Sequence, residues 1–359
     1  MMRGARVVVL MVFAGCASAP PSTAPRDDAS GDADTARILG PASMLTPPPE
    51  EASTPPAPKD ATPADTGVAA LPSAQPAPVA APPPPLDLTE GPLPEVLAEG
   101  ASLLRSKSWV KARSALTPAV AKVDAVGVPD DVLVAHTLLG RAHFGLHEFK
   151  SAKKEYDAAS AATDAARSLV ASDGDEGRRH VREARLALAA AEALFATAEE
   201  ARRAAEQRRP PVLRGARDSA GVTTFVRKDF GPWLSERRKL VEDAERAYLK
   251  ILEVKPFPPP IWTIAASRAD GGMWDELVTE TSSVPTPREW EGEGTIGQTP
   301  KAELRSLYRD ALDQSLAPLR ERVRGAYRVC SEQAKRFALH NDDAAACDDW
   351  LAKHPSPKP

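Results

Sequence analysis

The same apolar pattern is written twice in this chain, forty residues apart: Gly100, Trp109, Ala112, Leu116 and Ala119 recur as Gly140, Phe149, Ala152, Tyr156 and Ala159. Each copy gives a small residue, then an aromatic one, then a small and a bulky residue at helical spacing. Such an order is expected of two antiparallel helices that cross at the glycine, with the aromatic residue at the turn between them. The fold class that follows is all-α, built from helix pairs.

The repeats do not begin at the start of the chain. Half of the 36 prolines fall between Cys16 and Glu90. The tract of residues 16–91 is rich in Pro, Ala, Ser and Thr, lacks aromatic residues and has few large aliphatic ones. A segment of that composition buries too little surface to offset the entropy of ordering, so it is expected to be a disordered tether. Runs such as Pro47-Pro48-Pro49 and Pro82 to Pro85 favour polyproline II, with a reach of roughly 200 Å at about 3.1 Å per residue; a solvated spacer is the expectation, and a proline ligand for a groove the alternative. The foldable part, about 265 residues, has room for one or two domains. The net charge of −4, from 46 basic and 50 acidic residues, argues against a nucleic-acid binder.

Ahead of the tether, Arg3 and Arg6 precede the apolar run Val7 to Ala14, which is too short to span a bilayer and reads as an export signal over residues 1–15. It ends in Phe13-Ala14-Gly15-Cys16, which resembles the lipobox of bacterial lipoproteins. The resemblance implies lipidation of Cys16 as the new N-terminus, and Ala17 in place of an aspartate implies the outer membrane, with the body facing the periplasm. An ordinary secretory signal cut after Ala17 or Ala19 is the alternative.

The repeated pattern itself resembles tetratricopeptide helix pairs, firmly over residues 94–160 and in part over 232–280. The stretches 247–277 and 330–351 are similar to the C-terminal part of tetratricopeptide-containing envelope lipoproteins of deltaproteobacteria, some associated with gliding or Tol-like machines. The resemblance implies an α-solenoid. Residues 92–209 form its repeat region, with first pairs at 93–119 and 130–169. Pro118 is expected to kink the second helix or stop it early. A long third helix over 176–209 thins in apolar residues toward Arg202 to Arg209 and is expected to reach past the body. The arginines at 202, 203, 208, 209, 214 and 217 read as a solvated face. A connector over 210–231 carries a β-like run at 222–226, and the C-terminal helical region occupies 232–354, followed by a tail at 355–359. Within that region Thr299-Pro300 reads as a cap and first helical position of a long helix, bent at Pro318, and Asn341 turns the chain into a final helical hairpin.

Among motifs of chemistry, the sequence shows no phosphate-binding glycine loop, HExxH, paired CxxC or nucleophile elbow. No catalytic residue, metal site or cofactor is expected. Cys330 and Cys347 face each other across the Asn341 turn, and in an oxidising compartment a disulfide is favoured; two free thiols, or a zinc site with His340 and His354, are the alternatives. His136, His143 and His147 share a helical face, with packing and surface roles expected and a metal as the alternative. In tetratricopeptide grooves the inner face of each first helix contacts the ligand. The matching positions are Leu97, Leu104 and Arg105 in the first repeat and Thr137, Arg141 and Phe144 in the second, and Arg105 and Arg141 are expected to meet a partner's carboxylates from one concave face. The function expected is a non-enzymatic scaffold or adaptor for protein partners; the alternatives are a subunit of an envelope transport or motility machine and a cell-wall-associated enzyme or its activator.

Overall fold

The computed structural model describes residues 87–90 and 93–355. Cys16, the export signal and the tether as far as residue 86 lie outside the described residues. The first pair is α1 (Glu95–Arg105) and α2 (Trp109–Val126), and the second is α3 (Pro129–Gly145) and α4 (Phe149–Ala171). They are followed by α5 (Glu176–Gln207), α6 (Ser219–Phe225), α7 (Gly231–Leu249), α8 (Pro260–Ser282), α9 (Lys301–Arg336) and α10 (Asp342–Lys353). Successive long helices pack on one another, and α5 also reaches α3 and α8. The chain is all-α but for a two-stranded hairpin, β1 (Thr295–Ile296) with β2 (Thr299–Pro300).

The forty-residue repeat is visible in contacts. A Cβ at Gly100 would overlap the side chain of Leu116, and one at Gly140 would stand 3.0 Å from the Tyr156 ring, so at both places glycine lets the second helix close on the first. The turns repeat as well. Lys107 and His147, again forty apart, adopt left-handed φ angles of 55° and 59°. At each, the following amide reaches back five residues, Ser108 to Leu103 O and Glu148 to His143 O, which satisfies a carbonyl at the helix end. The same closure recurs before α10, where Ala338 has φ 50° and Leu339 N donates to Ala334 O.

Pro118 neither stops nor shortens α2, which continues to Val126. The residue is exposed, so the carbonyl it deprives of a partner faces water, while Thr117 Oγ1 donates to Arg113 O at 2.8 Å on the same stretch. Pro318 sits on the exposed side of α9 in the same way, and that helix runs through it. Thr299-Pro300 belongs to β2, and α9 starts one residue later, at Lys301. The expected β-like run is helical: Asp218 caps α6 by accepting from Gly221 N at 2.7 Å. Val222, Phe225 and Val226 then share one helical face, and a π-turn over Val226–Phe230 joins α6 to α7. β-branched side chains gave way here to a buried cluster with Phe230 and Trp233.

The long third helix does not leave the body. Every residue from Leu186 to Ala193 is buried, and α5 is still in the core at Ala198 and Ala205. Leu186, Leu188 and Ala189 belong to a core shared with α1 to α4, and Ala187, Ala191, Ala198 and Ala205 to a second core shared with α7 to α10. A stretch buried on all sides is the pattern of a central helix. The second core is closed at its far end by the bonded pair Cys330–Cys347, with an S–S distance of 2.06 Å, and by Trp350, stacked on Tyr327 at 4.4 Å. Gly271 of α8 allows the approach of Tyr327, whose ring would lie 2.9 Å from an added Cβ.

Three substitutions test this packing. Gly140→Ala is expected to destabilise by about 1–3 kcal/mol, as overpacking does. Gly325→Ala, in α9 with nothing near an added Cβ, is expected to stabilise by up to about 1 kcal/mol. Cys330→Ser is expected to cost roughly 3 kcal/mol through the lost loop constraint. Denaturant melts measure all three; equal effects at Gly140 and Gly325 would contradict the close approach.

Candidate functional site

The inner side of α3 is organised by one arginine. Arg141 Nε donates to Glu192 Oε1 of α5 at 2.7 Å, Nη2 meets Glu192 Oε2, and Nη1 donates to both carboxylate oxygens of Asp87 at 3.0 Å. Tyr156 adds a hydroxyl to Glu192 Oε1 at 3.3 Å. Burial works against the charge on Arg141, yet Glu192 and Asp87 hold it above its ordinary range. Burial pushes Glu192 up, against the pull of Arg141. At Asp87 burial also acts upward, but Arg141 and the hydroxyl and amide of Thr89 outweigh it, and the carboxyl lies below its usual value.

Asp87 belongs to a four-residue strap, Asp87-Leu88-Thr89-Glu90. Thr89 N and Oγ1 both donate to Asp87 Oδ1, at 2.7 and 2.5 Å, and Glu90 N donates to Asp87 O at 3.0 Å. Leu88 is 1% exposed, within the core of α1 to α5, and burying such a side chain contributes about 1.5–3 kcal/mol. Arg105 Nη1 donates to Thr89 O at 2.8 Å. The folded body therefore begins by Asp87, inside the span read as tether. The sequence signal for it is an aspartate followed two residues on by threonine, directly after the proline run, a combination that closes an Asx turn.

This arrangement changes the reading of the six candidate groove residues. Leu97, Leu104 and Thr137 are core residues, and the Thr137 hydroxyl donates to Leu133 O within its own helix. Arg141 is held by groups of its own chain. Arg105 and Arg141 are thirty-six residues apart, four short of the repeat, so they are not equivalent positions: Arg105 ends α1, whereas Arg141 lies a turn inside α3. Both nevertheless grip the same strap. Phe144, half-buried, lies edge-on to Phe149 at 5.5 Å, and Arg203 stands 3.7 Å over the Phe149 ring. These three border a cleft of about 380 Å³ among α3, α4 and α5, with Tyr156, Lys153 and Glu200.

Elsewhere charges are also paired within the chain. Arg182 holds Asp130, at the start of α3, with two bonds of 2.8 Å, and reaches Asp173 at 2.9 Å. Of the arginines read as a solvated face, Arg202 pairs with Glu199 and Glu206, Arg208 with Glu236, Arg209 with Glu276 and Arg217 with Glu291. His136 meets Glu155 at 2.6 Å and Asp124 at 3.1 Å, His143 meets Glu148 at 2.6 Å, and His147 abuts Phe149. Among the described residues no group of three or more His, Cys, Asp or Glu side chains is placed to hold a metal ion. None of the described helices is long and apolar enough to cross a membrane.

One carboxyl departs from this pattern of paired charges. Asp270 of α8, half-buried but with its Oδ1 shut off from solvent, lies beside Glu245 of α7, which is paired with Arg322 of α9, and Arg322 lies 4.2 Å over the Trp274 ring. Asp270 Oδ1 and Trp274 Nε1 have no hydrogen-bond partner among the described residues. Burial, and then the charge of Glu245, push the Asp270 carboxyl up to about 7, against Arg322. No family model matches the chain, and neither a curated protein nor a solved structure matches it.

Asp270 supplies a pH test. Its folded value lies above the unfolded one, so the stability it contributes is complete below the unfolded carboxylate value and is lost as pH rises toward 7. Melts of Asp270→Asn against the parent are expected to show little difference near pH 4 and a more stable variant near pH 8, by at most roughly 4 kcal/mol. A variant that loses stability equally at both pH values would contradict the raised carboxyl of Asp270.

Proposed function

We propose that this protein is a non-enzymatic scaffold of the bacterial envelope: an outer-membrane lipoprotein, anchored through Cys16, whose tetratricopeptide-like helix pairs bind a protein partner in the periplasm. The observation that carries the reading is that the inner side of α1 and α3 already holds a short non-helical segment. Arg141 takes its carboxylate, Arg105 its carbonyl and the core its leucine. A surface that grips a short stretch of chain by charge-assisted bonds and one apolar anchor has the chemistry of a peptide receptor. The recurrence of the Gly100–Leu116 closure at Gly140–Tyr156 supports a repeat architecture. The lipobox-like Gly15-Cys16 supports the anchor.

Fractionation and crosslinking test the reading together. Full-length protein is expected with the outer membrane, and Cys16→Ser is expected to be released or to remain an unprocessed precursor. Crosslinking in intact envelope is expected to recover a defined partner with the anchored form. A Cys16→Ser protein that is processed and still fractionates quantitatively with the membrane would overturn the lipoprotein assignment. An anchored protein that crosslinks to nothing would overturn the scaffold.

A further inference from the structure

The strap is held in a way that fits a replaceable ligand. Arg141 stays neutralised by Glu192 when Asp87 leaves, so departure of the strap does not strand a buried charge. Asp87 keeps 30% of its side chain exposed, and Arg141 19%, so solvent reaches the bond that would have to exchange. The remaining ties are the buried residues Leu88 and Thr89 and one bond from Arg105 to the main-chain oxygen of Thr89. These ties suit a short segment that carries a carboxylate, then an aliphatic residue, then a small one.

Resting on the scaffold reading above, we infer that Asp87-Leu88-Thr89 is a resident, self-inhibiting ligand, and that the face of Arg105 and Arg141 takes in its place an acidic-aliphatic segment of a partner protein. The occupant is defined by charge complementarity. Arg141 offers Nη1 to both oxygens of a carboxylate, at 3.0 Å each, a charge-assisted contact that a neutral amide, with a single oxygen, cannot accept with the same strength. The strap has the advantage of being covalently attached, so a partner competes against a high effective concentration. Binding by the parent protein is therefore weakened by the fraction of closed strap, and strengthening follows when the strap is loosened.

The probe is a fluorescent peptide copying residues 85–90, Pro-Leu-Asp-Leu-Thr-Glu, titrated by anisotropy into full-length protein. With Asp87→Asn and Leu88→Ala in the protein, binding is expected to tighten at least about tenfold over the parent. The same peptide with Asn in place of its aspartate is expected to lose about tenfold or more, the loss of a charge-assisted bond. Unchanged helicity and a cooperative melt establish that the variant is folded; should the double variant not fold, Asp87→Asn alone, which keeps Leu88, gives the same comparison. A folded variant that binds the peptide no more tightly than the parent overturns the inference, as does equal binding of the two peptides. Dimerisation of the variant on sedimentation assigns the face to a second copy and also overturns it. Excess peptide, added before crosslinking, that fails to reduce recovery of the partner overturns the inference while leaving the scaffold in place, whereas absence of any crosslinked partner strikes the scaffold alone.

Discussion

From Leu186 to Ala193 the central helix has no side facing water. Helices can stand on both sides of it because most of that stretch is alanine. Small side chains let neighbouring helices approach while each still loses apolar surface to the contact. One face completes the core of α1 to α4 and another completes that of α7 to α10. Both cores include side chains of α5, so the organisation of the body depends on α5 remaining small and apolar in this stretch.

Glu192 is the exception within the run. A carboxylate buried to 2% exposure is tolerable only because Arg141 meets it with two bonds and Tyr156 adds a third. That pairing fixes the rotation of α3 against α5, and with it the direction in which Arg141 presents its remaining N–H group. The strap binds to what is left. The structural requirement, a partner for a buried acid, thus creates a half-buried guanidinium that reaches two separate segments of the chain, Glu192 and Asp87.

The junction of α7, α8 and α9 solves the same problem differently. Arg322 is committed to Glu245, and burial together with the charge of Glu245 raises the Asp270 carboxyl, against Arg322. One arginine between two acids satisfies both when each is within bonding reach, as at Arg141, and only one when it is not. The contrast shows why counting charges along a sequence does not say which acids are ionised: the outcome depends on how many N–H groups a given guanidinium has left and where they point.

The sequence by itself determined the class of the fold and the grain of its first half. Glycine at 100 and 140, with a bulky residue sixteen positions on in each copy, fixes two helix crossings, because that requirement is local and repeats with the chain. The Cys330–Cys347 pairing was legible for a similar reason, since a short hairpin brings both residues together. What only the tertiary structure decided was which residues of those helices remain accessible. Leu97, Leu104 and Thr137 are buried, and the core that holds Leu97 and Leu104 also takes in Leu88 of the strap and Leu186 of α5, neither of which is part of the repeat. The helicity of 222–226 was decided at the same level, by burial against Phe230 and Trp233 over the preference of β-branched residues. Local spacing dictates how neighbouring helices cross; the covering of a face depends on segments distant in sequence, and their affinity for it is written in no single stretch.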